Sequence, residues 1–211
     1  MPTITTYVSE IRQYVEAELP RCPTALIDQH TVNLVRHWCD ETLAWWCDMD
    51  PLNVTTGVSD YDLDPPSYAE VIVPIRVQIY ETENTPTYWE DNFEEVKFDY
   101  SRDEKCVLHL QHEPTEDLTG ALRIRIALRP KRGLDADDAL IQYRVFEDWY
   151  DYWAAGIMAR LMQQRNKAWT NLEQASIYQR KYQDGVALAR IDETRDRMVE
   201  QLQATPRWQW A

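Results

Sequence analysis

LIQYRVFEDWYDYWAAGIMARL, residues 140–161, is the stretch whose reading decides the fold. It crowds Tyr143, Phe146, Trp149, Tyr150, Tyr152 and Trp153 together more densely than any other part of the chain. Tyr143, Phe146, Tyr150, Trp153, Ile157 and Leu161 recur three and four residues apart, which places them on one wide apolar face of a helix. Asp135 is positioned to cap that helix, with Asp137 and Asp138 in its first turn, where carboxylates meet unpaired N–H groups and the positive end of the helix dipole. Such a stripe is too aromatic for a surface helix and predicts the central core helix. Glycine inside a helix costs about 1 kcal/mol relative to alanine. The triplet Ala154-Ala155-Gly156 therefore predicts close approach of another backbone or a bulky ring, with tryptophans as the nearby candidates.

Beyond this helix, QQRNKAW reads as a loop and Thr170-Asn171-Leu172-Glu173 as a capping box that starts a last helix, Asn171 to about Gln201. Its stripe is Leu172, Ala175, Tyr178 or Gln179, Tyr182, Val186, Ala189 and Met198, and Gly185 is a point where it can bend. Pro206 stops it, leaving the tail ATPRWQWA. Arg207, Trp208 and Trp210 on that polar tail form a candidate partner interface; the rival is a tail folded back on its own domain.

Upstream, Ile4 to Leu19 reads as a first helix with Tyr7, Val8, Ile11, Tyr14, Val15 and Leu19 as its stripe, capped by Thr3 or Thr6. After the turn LPRCPT, a second helix runs from Thr24 to about Asp48. Its stripe is Leu26 or Ile27, Leu34, Val35, Trp38, Cys39, Thr42, Trp45 and Trp46, and Pro51 ends it. The two should form an antiparallel pair. Asp50 to Ser67 is turn-rich, an extended connection with one short strand around Val54. Tyr68 to Arg129 is β-rich, with VIVPIRVQIY, EEVKFDY, CVLHLQH and ALRIRIALRP as strand candidates. In the last, Leu122, Ile124, Ile126 and Leu128 alternate with Arg123, Arg125 and Arg129. Pro74 argues for an edge or a bulge at its position.

The predicted fold is therefore α+β: a bundle of about four helices, two N-terminal and two C-terminal, with an inserted antiparallel β sheet or small sandwich. The predicted parts are 1–50 (N-terminal helical pair), 51–130 (β-rich region), 131–203 (C-terminal helical pair) and 204–211 (docking tail).

Nine tryptophans and twelve tyrosines in 211 residues supply stiff contact area of the kind interfaces use. No run of about 18 apolar residues exists to span a membrane, and the N-terminus lacks the basic flank and apolar core of a signal peptide. Synthesis and assembly in a host cytoplasm are expected. Net charge is −14; Asp40 to Asp117 holds 20 acidic residues against four basic, whereas Ala121 to Ala211 holds 12 acidic and 15 basic. Such acidity disfavours sequence-independent nucleic-acid binding, and its plain reading is solubility.

No motif carries chemistry. Phosphate-cradling glycine loops and a GxSxG elbow are missing. Cys22, Cys39, Cys47 and Cys106 form no CxxC, and Cys39 and Cys47 read as small buried hydrophobes on the second helix. His30 and His37 are two helical turns apart, and His109 and His112 point to opposite faces of a strand. Asp48 with Asp50, or Asp60 with Asp62, reads as charged face rather than as a cation site. Catalytic residues, cofactors and metal ligands are all expected to be absent.

Three segments in this order carry a resemblance. The first is RCPTALIDQHTVNLVRHWCDETLAWW, with Trp38-Cys39 and the pair Thr42 and Trp45. A β-rich middle follows a connection containing tyrosine and proline. The last is WYDYWAAGIMARLMQQRNKAWTNLEQASIYQRKYQDGVALAR, with its small-Gly-X-X-X-Arg-Leu segment from Ala155 to Leu161, its Lys-Ala-Trp-Thr-Asn turn and its Ala-Ser-X-Tyr-X-X-X-Tyr helix. Together these resemble the head–tail connector, or adaptor, proteins of tailed bacteriophages; the tail from Ala204 and the acidity of the middle lie outside the resemblance. It implies a structural virion protein of the neck, a homo-oligomeric ring typically of twelve copies beneath the portal protein. Such a ring extends the DNA channel, lets the genome pass without specific binding, and docks a tail or neck (stopper) protein. The rival readings are a soluble interaction adaptor or assembly chaperone that never joins a particle, and a carboxylate-dependent hydrolase.

Overall fold

The computed structural model describes residues 5–80, 93–101 and 106–204. The protein is α+β, with four α-helices and several antiparallel sheets among the described residues. It divides into two compact units, one of Met1–Trp45, Pro66–Glu70 and Leu128–Asp192, the other of Trp46–Pro65, Val71–Ala127 and Glu193–Ala211.

In the first unit the expected helix from Ile4 to Leu19 is corrected. The described chain opens with β1 (Thr5–Tyr7), a 3-10 turn (Val8–Ile11) and α1 (Arg12–Glu18). β1 pairs antiparallel with β10 (Leu140–Gln142), Thr6 opposite Ile141, and the Val8 and Ser9 N–H groups donate to the Ala139 and Ala136 carbonyls. This pairing claims the backbone groups that a longer helix would use. Val8, Ile11, Val15 and Leu19 are buried as expected, but Tyr7 and Tyr14 are exposed. The Thr6 hydroxyl donates to the Glu10 carboxylate rather than capping; Thr3 and Ile4 lie outside the described residues.

α2 (Thr24–Thr42) follows Pro23 and buries Ile27, Leu34, Val35, Trp38 and Cys39. It stops well before Asp48. Leu43 adopts the left-handed conformation (φ 56°) and its N–H donates to the Cys39 carbonyl at 2.9 Å, closing the helix as a C-terminal cap. Trp46 and Cys47 are consequently on a strand, not on this helix.

α3 (Tyr143–Met162) also starts later than expected. Asp135 does not cap it: the Asp135 carbonyl accepts the N–H groups of Asp138 and Ala139, closing a turn before β10, and the residue at the helix start, Gln142, makes no side-chain cap. From Trp153 to Ala159 every residue of α3 is buried, so the helix does sit in the core. Tyr143, placed on the stripe by its spacing, is exposed. α4 (Leu172–Ala204) is continuous through Gly185. Its capping box is shifted by one residue: Asn171 Oδ1 accepts the Gln174 N–H at 3.1 Å, and Asn171 Nδ2 donates to Gln174 Oε1 at 3.0 Å. Thr170 instead accepts the Lys167 N–H and donates to the Gln164 carbonyl. Ala175, Tyr182, Val186 and Ala189 are buried as the stripe requires, whereas Leu172 is exposed; the Met198 side chain lies outside the described part.

The second unit is built of β2 (Trp46–Asp48), β3 (Leu52–Val54), β4 (Asp60–Asp62), β5 (Ala69–Tyr80), β6 (Phe93–Glu95), β7 (Phe98–Ser101), β8 (Val107–Leu110) and β9 (Leu118–Pro130), with the ends Ala69–Glu70 and Leu128–Pro130 of two long strands belonging to the first unit. One sheet has the order β2-β9-β5-β6, with β3 also on β9. β2 pairs antiparallel with β9, Trp46 opposite Ala127, and β3 does so with a register shift between Leu52 and Val54. The other sheet is β4-β8-β7, also antiparallel. The alternation in β9 holds: Leu122, Ile124, Ile126 and Leu128 are buried and the arginines between them are half-buried. The connection Asp50–Ser67 holds two strands rather than one, and EEVKFDY divides into β6 and β7. Among the described residues β6 pairs with β5 only at Gln78–Tyr80, so Pro74 has no β6 partner to lose.

Candidate functional site

α2, α3 and α4 meet at Trp38. Its ring centre lies 5.4 Å from Trp149, 6.0 Å from Trp153 and 5.7 Å from Tyr182. Burial pushes the Tyr182 phenol up to about 12. Trp38, Trp45 and Trp153 are all but fully buried. Much of the aromatic content read as interface material thus fills the chain's own core, where edge-to-face and tilted ring pairs add to area burial.

Beside this core, Arg36 and Arg129 share one carboxylate. Arg36 Nη2 and Arg129 Nε both donate to Glu70 Oε2 at 3.1 Å, the Arg132 N–H donates to Glu70 Oε1 at 2.6 Å, and Arg129 Nη1 grips both oxygens of Asp40 at 2.8 Å. Burial acts to raise the Glu70 carboxyl, but the Arg132 N–H and the two guanidinium groups outweigh it and hold the carboxyl below its ordinary value. These groups line a polar pocket of about 500 Å³. Both carboxylates in it are tied to arginines, so neither stands as a free acid or base, and the cluster acts as a clamp between α2 and the ends of β5 and β9.

A third feature lies on the outer side of α4. Ile177, Leu188 and Ile191 are 64%, 45% and 54% exposed. At about 100° per residue they fall within about 60° of one another, on the side of the helix facing away from Ala175, Tyr182, Val186 and Ala189. Reading the sequence for its buried stripe overlooked them, although three large aliphatic residues off that stripe were the available signal.

The residues singled out in the sequence are placed as follows. Arg207, Trp208 and Trp210 lie outside the described residues. Asp48 is held by Arg125 at 2.7 and 3.2 Å, and the same guanidinium lies 4.1 Å above the centre of Trp46. Asp60 contacts His109 Nδ1 at 2.7 Å, and this contact lowers its carboxyl. His30 meets Gln164 at 3.1 Å and His37 meets Glu41 at 3.1 Å; burial, reinforced by Arg160, lowers the His30 value. Cys39 is buried, and burial pushes its thiol far up; Cys47 is pushed up to about 11 by burial and by Asp48. Among the described residues no group of three His, Cys, Asp or Glu side chains is placed to hold a metal ion, and no helix is long and apolar enough to cross a membrane. Neither a family model nor a curated protein matches the chain.

Proposed function

We propose that this chain is a structural virion protein of a tailed bacteriophage, a head–tail connector that joins copies of itself in a ring between portal and tail. On this reading α1–α4 form the ring body as a four-helix layer with the β region inserted in it, and the ring extends the DNA channel. Part of the acidity between Asp40 and Asp117 lines the channel, where carboxylates repel the passing phosphates. The tail bearing Arg207, Trp208 and Trp210 reaches a neighbouring neck component. The observation that supports the reading best is the outer face of α4. Three large aliphatic side chains held in water on one side of a long helix are the material of an interface between copies. The decisive experiment removes the protein from the assembling particle. Heads filled with DNA but lacking tails are the expected product; infectious tailed particles would overturn the proposal. Removing 206–211 alone should weaken attachment to the neighbouring component while leaving the fold intact.

A further inference from the structure

One surface of the first unit is formed of phenol rings and carboxylates from α1 and the turn before it, α3 and α4. Tyr14 and Tyr150 meet edge to face with centres 5.9 Å apart, and Phe146 backs Tyr150 at 5.3 Å. Tyr14 and Tyr143 are exposed, and Tyr150 and Tyr178 are half-buried. Glu147 accepts the Tyr143 hydroxyl. Burial raises the Tyr150 phenol, with Tyr14, Asp151 and Glu10 adding to it, and burial raises that of Tyr178, with Glu18 and Tyr14 adding to it. Glu10 also contributes at Tyr143. Helical spacing sets the carboxylates beside the rings: Glu10 lies about one turn before Tyr14 and Glu18 one turn after it, and on α3 Glu147 lies four residues after Tyr143 and three before Tyr150.

Several carboxylates of this unit are held by guanidinium groups: Asp28 and Asp137 by Arg12, Glu70 by Arg36 and Arg129, Asp40 by Arg129, Glu41 by Arg190, and Asp148 by Arg144. Among the described residues Glu10, Glu18, Glu147 and Asp151 have no cationic partner. Exposed aromatic faces flanked by unmatched carboxylates suit one chemistry above others. A guanidinium group stacks flat on a ring while its edge donates to carboxylates, and it is more easily stripped of water than an ammonium group.

We infer that the surface formed by Tyr14, Tyr143, Tyr150 and Tyr178 with Glu10, Glu18 and Glu147 is a docking site for an arginine-bearing segment of another protein. The inference does not depend on the ring reading, because a soluble adaptor with this surface would take the same segment.

The test titrates the full chain with a capped peptide of alternating arginine and glycine, followed by calorimetry. Peptides carrying citrulline, the neutral analogue, or lysine in place of arginine are run beside it. The arginine peptide should bind, the lysine peptide more weakly, and the citrulline peptide not at all. The triple variant Glu10→Gln, Glu18→Gln, Glu147→Gln and the variant Tyr14→Leu should each bind at least about tenfold more weakly. All of these substitutions are at the surface, and circular dichroism of each variant must match the parent. Absence of arginine-peptide binding, equal binding of the citrulline or lysine peptide, or unchanged binding by the triple variant would overturn the inference. Sedimentation of the chain alone separates the sources. Self-association that the triple variant abolishes would make the occupant a second copy and overturn the assignment to another protein.

Discussion

Gly156 of α3 lies directly beneath the ring of Tyr182 of α4: a Cβ added there would sit 2.5 Å from Tyr182 Cδ2 and 2.5 Å from Leu34 Cδ1. The arrangement is reciprocal. A Cβ at Gly185 of α4 would sit 2.4 Å from Cγ of Tyr152 on α3. Each helix gives up a side chain where the other presents a tyrosine, so α3 and α4 approach closely at two points. Crowding of a packed core costs about 1–3 kcal/mol, and alanine's better helix propensity returns about 1 kcal/mol. Gly156→Ala should therefore lower stability by up to about 2 kcal/mol in a denaturant titration. Gly185→Ala should cost at least as much, because it also meets Tyr152 Cβ at 2.7 Å, which the α3 backbone holds in place. A neutral or stabilising effect at both positions would show that the tyrosines have room to swing away.

The shared carboxylate of Glu70 gives a prediction with a defined pH dependence. Its folded-state value lies below the ordinary 4.5. The ionised form is thus favoured by folding, and its contribution is complete above the unfolded value and lost as pH falls through the lower folded one. Glu70→Gln leaves two arginines sharing one neutral acceptor. After discounting for the partial exposure of Glu70, a loss of about 1–2 kcal/mol at neutral pH is expected. The stability difference between parent and variant should shrink as pH drops through the low carboxylate range. Parallel pH–stability curves for the two proteins would dismiss the clamp.

How far the fold could be read from the sequence depended on whether the signal was local. β9 announces itself because each isoleucine or leucine has an arginine beside it, and the core segment of α3 because its apolar residues continue past any surface period. The end of α2 was hidden. The Trp-rich run after Thr42 is short and apolar, and such a run reads alike as helix or strand; only pairing of Trp46–Asp48 with β9 decides it. β1 and β10 were invisible for a related reason, since three-residue strands from distant parts of the chain carry no period of their own. Asp135 looked like a helix cap because a turn and a helix start use the same residue types. The Tyr14–Glu10 surface was legible only as leftover: the spacing that named Tyr14 and Tyr143 as core residues named two side chains that the fold leaves outside.

Thiol chemistry should separate the cysteines. Cys39 is fully buried with its thiol pushed far up, so a soluble alkylating reagent should leave it unmodified until the protein unfolds. Cys47, half-buried and pushed up to about 11, should react slowly near pH 8 and faster as pH rises toward that value. Mass spectrometry of alkylated peptides over time reads both. Rapid labelling of Cys39 under native conditions would mean that α2 opens without global unfolding.

The outer face of α4 offers the sharpest test of self-assembly, because interface and fold can be separated there. Ile177, Leu188 and Ile191 are exposed in the single chain, so replacing any of them with glutamate should change monomer stability by no more than about 0.5 kcal/mol. In an assembled ring the same change would bury an unpaired carboxylate against apolar surface, and an unpaired charge is not tolerated there. The expected result is a normal thermal melt together with loss of the ring, observed by sedimentation of the chain alone and of the chain mixed with portal. Oligomers that form equally well with Ile177→Glu, Leu188→Glu and Ile191→Glu combined would place α4 outside the contact between copies and remove the main structural support for the connector reading.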